Sequence, residues 1–125
     1  MSGKLLNAKT LLERKNLLEK RKQKEFEVEV KDLGVFKLRT PTTADLIDAR
    51  EYGGGDRENE YVIYACTLEP NLKSQELLQG FDVKDPVDIV NEIFLPGEIA
   101  EIATILVKSA GFNDDVAKVV DDTKN

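Results

Sequence analysis

Histidine and tryptophan are missing from this sequence, and cysteine and methionine occur once each. Without histidine the chain lacks both the commonest general base at neutral pH and the commonest metal ligand. With only one cysteine besides, the usual zinc sites cannot be assembled. Lone Cys66 allows no disulfide framework, which is the cysteine usage expected of an intracellular protein. No apolar run approaches the roughly 18 residues that suggest a transmembrane helix. The leucine pairs near the N-terminus are split by charges, unlike the unbroken apolar centre of a signal peptide. These absences lead us to expect a cytoplasmic protein with no cofactor, no metal and no membrane partner.

Charge, by contrast, is plentiful. Asp, Glu, Lys and Arg supply 34% of the 125 residues, with a formal net charge of -6. That figure hides a split. Residues 1–24 hold eight Lys or Arg against Glu13 and Glu19, a balance of +6, so the remaining chain carries -12. A basic arm on an acidic body points to binding by at least one of them.

The arm, 1–24, has strong helix formers throughout and no proline. In a helix over 4–24, Leu5, Ala8, Leu11, Leu12 and Leu18 fall within an arc of about 140°. Leu6 and Leu17 fall outside that arc, and Lys4 and Lys15 intrude on it. Such a segment can dock on its own body, engage a partner helix or contact nucleic acid. The candidate partner-binding residues are Leu5, Leu11, Leu12, Leu18, Lys15 and Arg21.

At residue 25 the period changes from helical to alternating. Phe26, Val28 and Val30 alternate with Glu25, Glu27, Glu29 and Lys31, and Val35–Arg39 returns after Asp32-Leu33-Gly34. The expected register sets Val30 opposite Phe36 and Val28 opposite Leu38, with Glu29 facing Lys37 and Glu27 facing Arg39. A two-stranded hairpin is marginal alone, so its apolar face must lie on helices.

Thr42 and Asp45 predict a capping box opening a helix over 44–52, which Gly53-Gly54-Gly55 ends. The three glycines suggest a phosphate cradle, but no Lys-Ser/Thr follows and Glu51, Asp56 and Glu58 would repel phosphate. A connector is expected instead. Residues 58–68 predict a helix with Tyr61, Tyr64, Ala65 and Leu68 facing the core. Cys66 has no basic neighbour visible in sequence and is expected to be a buried structural thiol. A short helix follows Ser74 and ends at Gly80. The tail, 113–125, is expected to be polar with one weak turn around 116–120.

The strongest core signal is 86–112, two helices meeting at Leu95-Pro96-Gly97. Asp85 is placed to cap and Pro86 to open the first, which carries Val87, Ile89, Val90, Ile93 and Phe94. In the second, Ile99, Ile102, Ala103, Leu106 and Ala110 share an arc of roughly 100°, and Gly111-Phe112 predicts a Schellman cap. Asp82, Asp85, Asp88, Glu92, Glu98 and Glu101 are the only acidic group dense enough to suggest a carboxylate-dependent hydrolase. Two of them are explained by capping, and the rest suit a solvated surface. The expectation is a mainly helical α+β single domain, with one N-terminal antiparallel hairpin packed on the helices.

Three segments together carry a family resemblance: Tyr61–Lys73 (YVIYACTLEPNLK), Asp85–Val90 (DPVDIV) and Phe94–Ile99 (FLPGEI). At this separation the sequence resembles the XkdN-like tail assembly chaperones of long-tailed phages and of defective prophages in Gram-positive bacteria. The resemblance covers roughly 25–112, making that the chaperone domain. It implies a non-enzymatic factor that holds the tape measure protein until tail tube subunits polymerise around it. The tail tube protein and a second copy of the chain are further partners it allows. The rival class is a small nucleic-acid-associated regulator using the basic arm, which lacks interleaved aromatics and any recognisable helix-turn-helix.

Overall fold

The computed structural model describes residues 5–113 and 115–120. In chain order the elements are α1 (Ala8–Glu13), α2 (Lys15–Lys20), β1 (Glu25–Val30), β2 (Gly34–Arg39) and α3 (Thr43–Glu51). After a glycine turn come α4 (Glu58–Cys66), β3 (Thr67–Glu69), α5 (Gln75–Gly80), α6 (Ile89–Ile93) and α7 (Pro96–Ser109).

The alternating stretch forms an antiparallel pair, but two residues away from the expected register. Val30 faces Gly34, Val28 faces Phe36, Phe26 faces Leu38, Glu27 faces Lys37 and Glu25 faces Arg39. The turn closes sooner because Asp32 takes the left-handed position at φ 72°, and the Leu33 N–H donates to the Val30 carbonyl at 3.0 Å. A slip of two leaves every side chain on its expected face, since sides alternate along a strand. Phe36 and Leu38 are buried, and Lys37 pairs diagonally with Glu25 at 3.2 Å.

The hairpin is not alone. β3 pairs antiparallel with β2, making a three-stranded sheet of order β1-β2-β3. Thr67 leaves α4 in an extended conformation, and its hydroxyl donates to the Ile63 carbonyl at 2.7 Å. The helix therefore stops at Cys66 rather than Leu68, which lets Thr67 pair with Leu38.

The helices cover the sheet's apolar face. Thr42 and Asp45 form the capping box at the start of α3, with bonds of 2.8 and 3.1 Å. Asp85 caps the turn Pro86–Asp88 that leads into α6, accepting from the Val87 N–H at 3.2 Å. At the corner, Glu98 accepts from the Leu95 N–H at 2.9 Å, and Pro96 opens α7. Phe36 and Phe94 join sheet to helices with ring centroids 5.1 Å apart. Ile89, Val90, Ile99, Ile102, Ala103 and Leu106 are all buried, as their spacing required.

The core face of α4 is Val62, Ile63 and Cys66; Tyr61, Tyr64, Ala65 and Leu68 are only half-buried flanks. Stopping the helix at Cys66 takes Leu68 out of the expected stripe. Burial pushes the Cys66 thiol up to about 12, and the charge of Arg39, a neighbour the sequence did not reveal, works against that shift.

Gly111, at φ 99°, ends α7 in the Schellman pattern. Its N–H donates to the Lys108 carbonyl at 3.0 Å, and the Phe112 N–H donates to the Val107 carbonyl at 3.4 Å. Phe112 itself stays largely exposed. Residues 116–120 hold no helical turn, and 121–125 of the polar tail lie outside the described residues.

Candidate functional site

The arm does not run as one helix. Asn7 caps α1, accepting from the Thr10 N–H at 2.9 Å. The chain then breaks at Arg14 (φ -104°, ψ 20°), whose N–H turns back to the Leu11 and Leu12 carbonyls before α2 begins. Neither short helix buries a residue fully, so packing does not enforce one continuous stripe. Lys4, the expected start, lies outside the described residues. Leu5 precedes α1 and is 96% exposed; Leu12 is 66% and Leu11 43% exposed. Leu18 is half-buried.

Leu18 turns toward a groove of about 1060 Å³ assembled from three separate parts of the chain. The first wall is Leu18, Arg21, Lys22 and Lys24, from α2 and the link to β1. The second is the entry and first turns of α3, residues 40–44 with Leu46, Ile47 and Arg50. The third is the capped end of α7, from Lys108 to Phe112, with Asn113 and Val116. Of the candidate partner residues, the groove brings together Leu18 and Arg21; Leu5, Leu11, Leu12 and Lys15 do not line it.

The charge of this lining opposes that of the protein. Arg21, Lys22, Lys24, Arg50 and Lys108 line it, and among the described residues no Asp or Glu does. None of the five belongs to an ion pair among the described residues. Thr40 lies in the wall at 4% exposure, and its hydroxyl is buried without a hydrogen-bond partner. On the other side of Phe112 a smaller hollow of about 280 Å³ runs along Ala103, Thr104 and Val107 to Asn59 of α4.

A second polar constellation sits at the glycine turn and was not foreseen. Gly53, Gly54 and Gly55 adopt φ of 60°, 76° and 96°, which swings Arg57 back over the Tyr52 ring at 5.6 Å. Arg57 donates to Asp85 at 3.0 Å and also to Asp88, while the Tyr52 hydroxyl donates to Asp85. The Tyr52 hydrogen bond, joined by those from Val87 and Arg57, outweighs desolvation and holds the Asp85 carboxyl below its ordinary range. Burial, reinforced by Asp85, pushes the Tyr52 phenol up to about 12. Asp85 and Asp88 of the suspected acidic cluster are thus committed to holding the turn against the central helices. No local pattern around Arg57, flanked by Asp56 and Glu58, signals that role.

Among the described residues, no group of three or more Asp, Glu or Cys has the geometry to hold a metal ion. No described helix is long and apolar enough to cross a membrane.

The fold is similar to that of the protein yqbn, known from a crystal structure, with a TM-score of 0.58 and 21% identity over 73% of this chain and 87% of that one. At that identity the likeness speaks for the fold alone. No curated protein matches the sequence. A family model described as phage XkdN-like tail assembly chaperone protein matches residues 4–124, a span that includes most of the arm and nearly all of the tail. The chain therefore belongs to the phage XkdN-like tail assembly chaperone family.

Proposed function

We propose that this chaperone binds the phage tape measure protein and keeps it soluble in the host cytoplasm during tail assembly, without catalysing a reaction. The observation that carries the reading is the uncovered apolar surface of the arm. Leu5, Leu11 and Leu12 face solvent on a segment that buries none of its residues fully, beside Lys15 and Arg21. A long helical client with an apolar stripe is held by contacts of this kind. The arm orders further when it binds, and the entropy lost keeps the complex reversible, which suits a factor that must leave. The acidic remainder of the chain, at -12, keeps the loaded complex in solution.

Co-expression tests the proposal. The tape measure protein is expected to stay soluble and co-purify with the full chain, and to lose much of that protection when residues 1–24 are removed. Equal protection by both would transfer capture from the arm to the body. No gain in solubility and no co-purification with the full chain would end the tape measure reading. The same preparations, analysed for the tail tube protein and for chaperone self-association, test those further partners.

A further inference from the structure

We infer that the groove between α2, α3 and the end of α7 seats an acidic, apolar-faced segment of a partner protein. Acidic residues outnumber basic ones by 24 to 18 in this chain, yet among the described residues the groove gathers five cations and no carboxylate. Arg21, Lys22 and Lys24 belong to one basic run, but Arg50 and Lys108 reach the groove from distant parts of the sequence, so local composition alone does not account for their meeting. Their mutual repulsion is unrelieved by any ion pair among the described residues. Carboxylates brought by a partner relieve it.

Between the charges, Leu18, Pro41, Leu46, Ile47 and Phe112 give the groove an apolar share, interspersed with Thr42, Thr43 and Ser109. A helix with Leu at every third or fourth position and Glu between meets both features at once. A nucleic acid meets only the charge. Phe112 is the single aromatic in the lining, which gives successive bases no stacking platform, and the net charge of -6 repels a polyanion elsewhere on the molecule. The inference rests on the chaperone reading only for the identity of the protein that carries the segment.

The test uses the full chain and a fluorescein-labelled helical peptide of roughly 18 residues, about five turns, with a Leu face and Glu elsewhere. A Glu/Ser peptide of the same charge and a single-stranded oligonucleotide serve as comparisons, at about 0.15 M salt. Fluorescence anisotropy is expected to show the Glu/Leu peptide binding at least about tenfold tighter than either comparison. Arg50→Glu with Lys108→Glu should weaken it by about tenfold or more, whereas Lys31→Glu at the hairpin tip should leave it unchanged. Circular dichroism of the double variant confirms that it is folded, and Lys22→Glu with Lys24→Glu provides an independent reversal on another wall. Absence of peptide binding, indifference to both reversals, or tighter binding of the oligonucleotide would each overturn the inference. The peptide assay contains no tail protein, so it can fail while the co-expression assay succeeds through the arm, and the reverse.

Discussion

Arg39 closes on Asp45 at 2.7 Å, and its other terminal nitrogen donates to the Ala65 carbonyl at 2.9 Å. One guanidinium therefore ties the last residue of β2 to the first turn of α3 and the last turn of α4. Removing it as Arg39→Ala should destabilise the fold by about 1.5–3 kcal/mol, the range for hydrogen bonds to charged groups. Urea melts would measure this, and an unchanged midpoint would show the clamp to be ornamental.

The same pair sets an acid limit. Burial favours the neutral form of Asp45, but hydrogen bonds from Arg39 and Thr42 outweigh it and hold the carboxyl below its ordinary range. A depressed pKa contributes stability above the unfolded value, near 3.9, and that contribution is lost as pH falls through the folded value beneath it. Below about pH 4, then, the wild type should lose stability more steeply than Asp45→Asn. Parallel curves of melting temperature against pH would contradict this.

Leu106 and Ile102 carry the packing between α7 and the rest of the core, and both are buried. Truncating either to alanine should destabilise by about 2–5 kcal/mol. A chemical melt without loss would place the stabilising contacts elsewhere.

Thr40→Val should do the opposite. The hydroxyl it removes is buried and unpartnered, while the backbone N–H keeps its 2.9 Å bond to the Lys24 carbonyl. Valine has nearly the same shape, so a gain of about 1 kcal/mol is expected. A loss would mean that the hydroxyl has a partner in solution.

Cys66 should resist thiol reagents. Its pKa near 12 and full burial leave almost no accessible thiolate at pH 8. Labelling by a chromogenic disulfide reagent should be slow in the native protein and rapid in denaturant. Rapid native labelling would show that α4 opens locally.

The sequence was most informative where side-chain period and capping chemistry agree. Asp85-Pro86, Leu95-Pro96-Gly97 and Gly111 delimit the central helices, and the apolar positions expected to face the core are buried, except Ile93 and Ala110, which are half-buried. The hairpin's faces were legible and its register was not, because a slip of two preserves the apolar and charged pairings alike. β3 escaped notice because three residues leaving a helix have no period of their own. The arm's break at Arg14 reflects missing tertiary packing, which no helical wheel displays. The groove and the Arg57 contacts were invisible for another reason: each joins residues far apart in the chain, and only the folded path sets them side by side.

The order β1-β2-β3 leaves β1 with hydrogen-bonding groups along one open border. Along that border Glu25, Glu27 and Glu29 stand at every second position on the exposed side. A second copy adding itself there as a further strand would bring rows of like charge within a strand spacing of each other. The chain thus carries its own barrier against being drawn into a growing sheet.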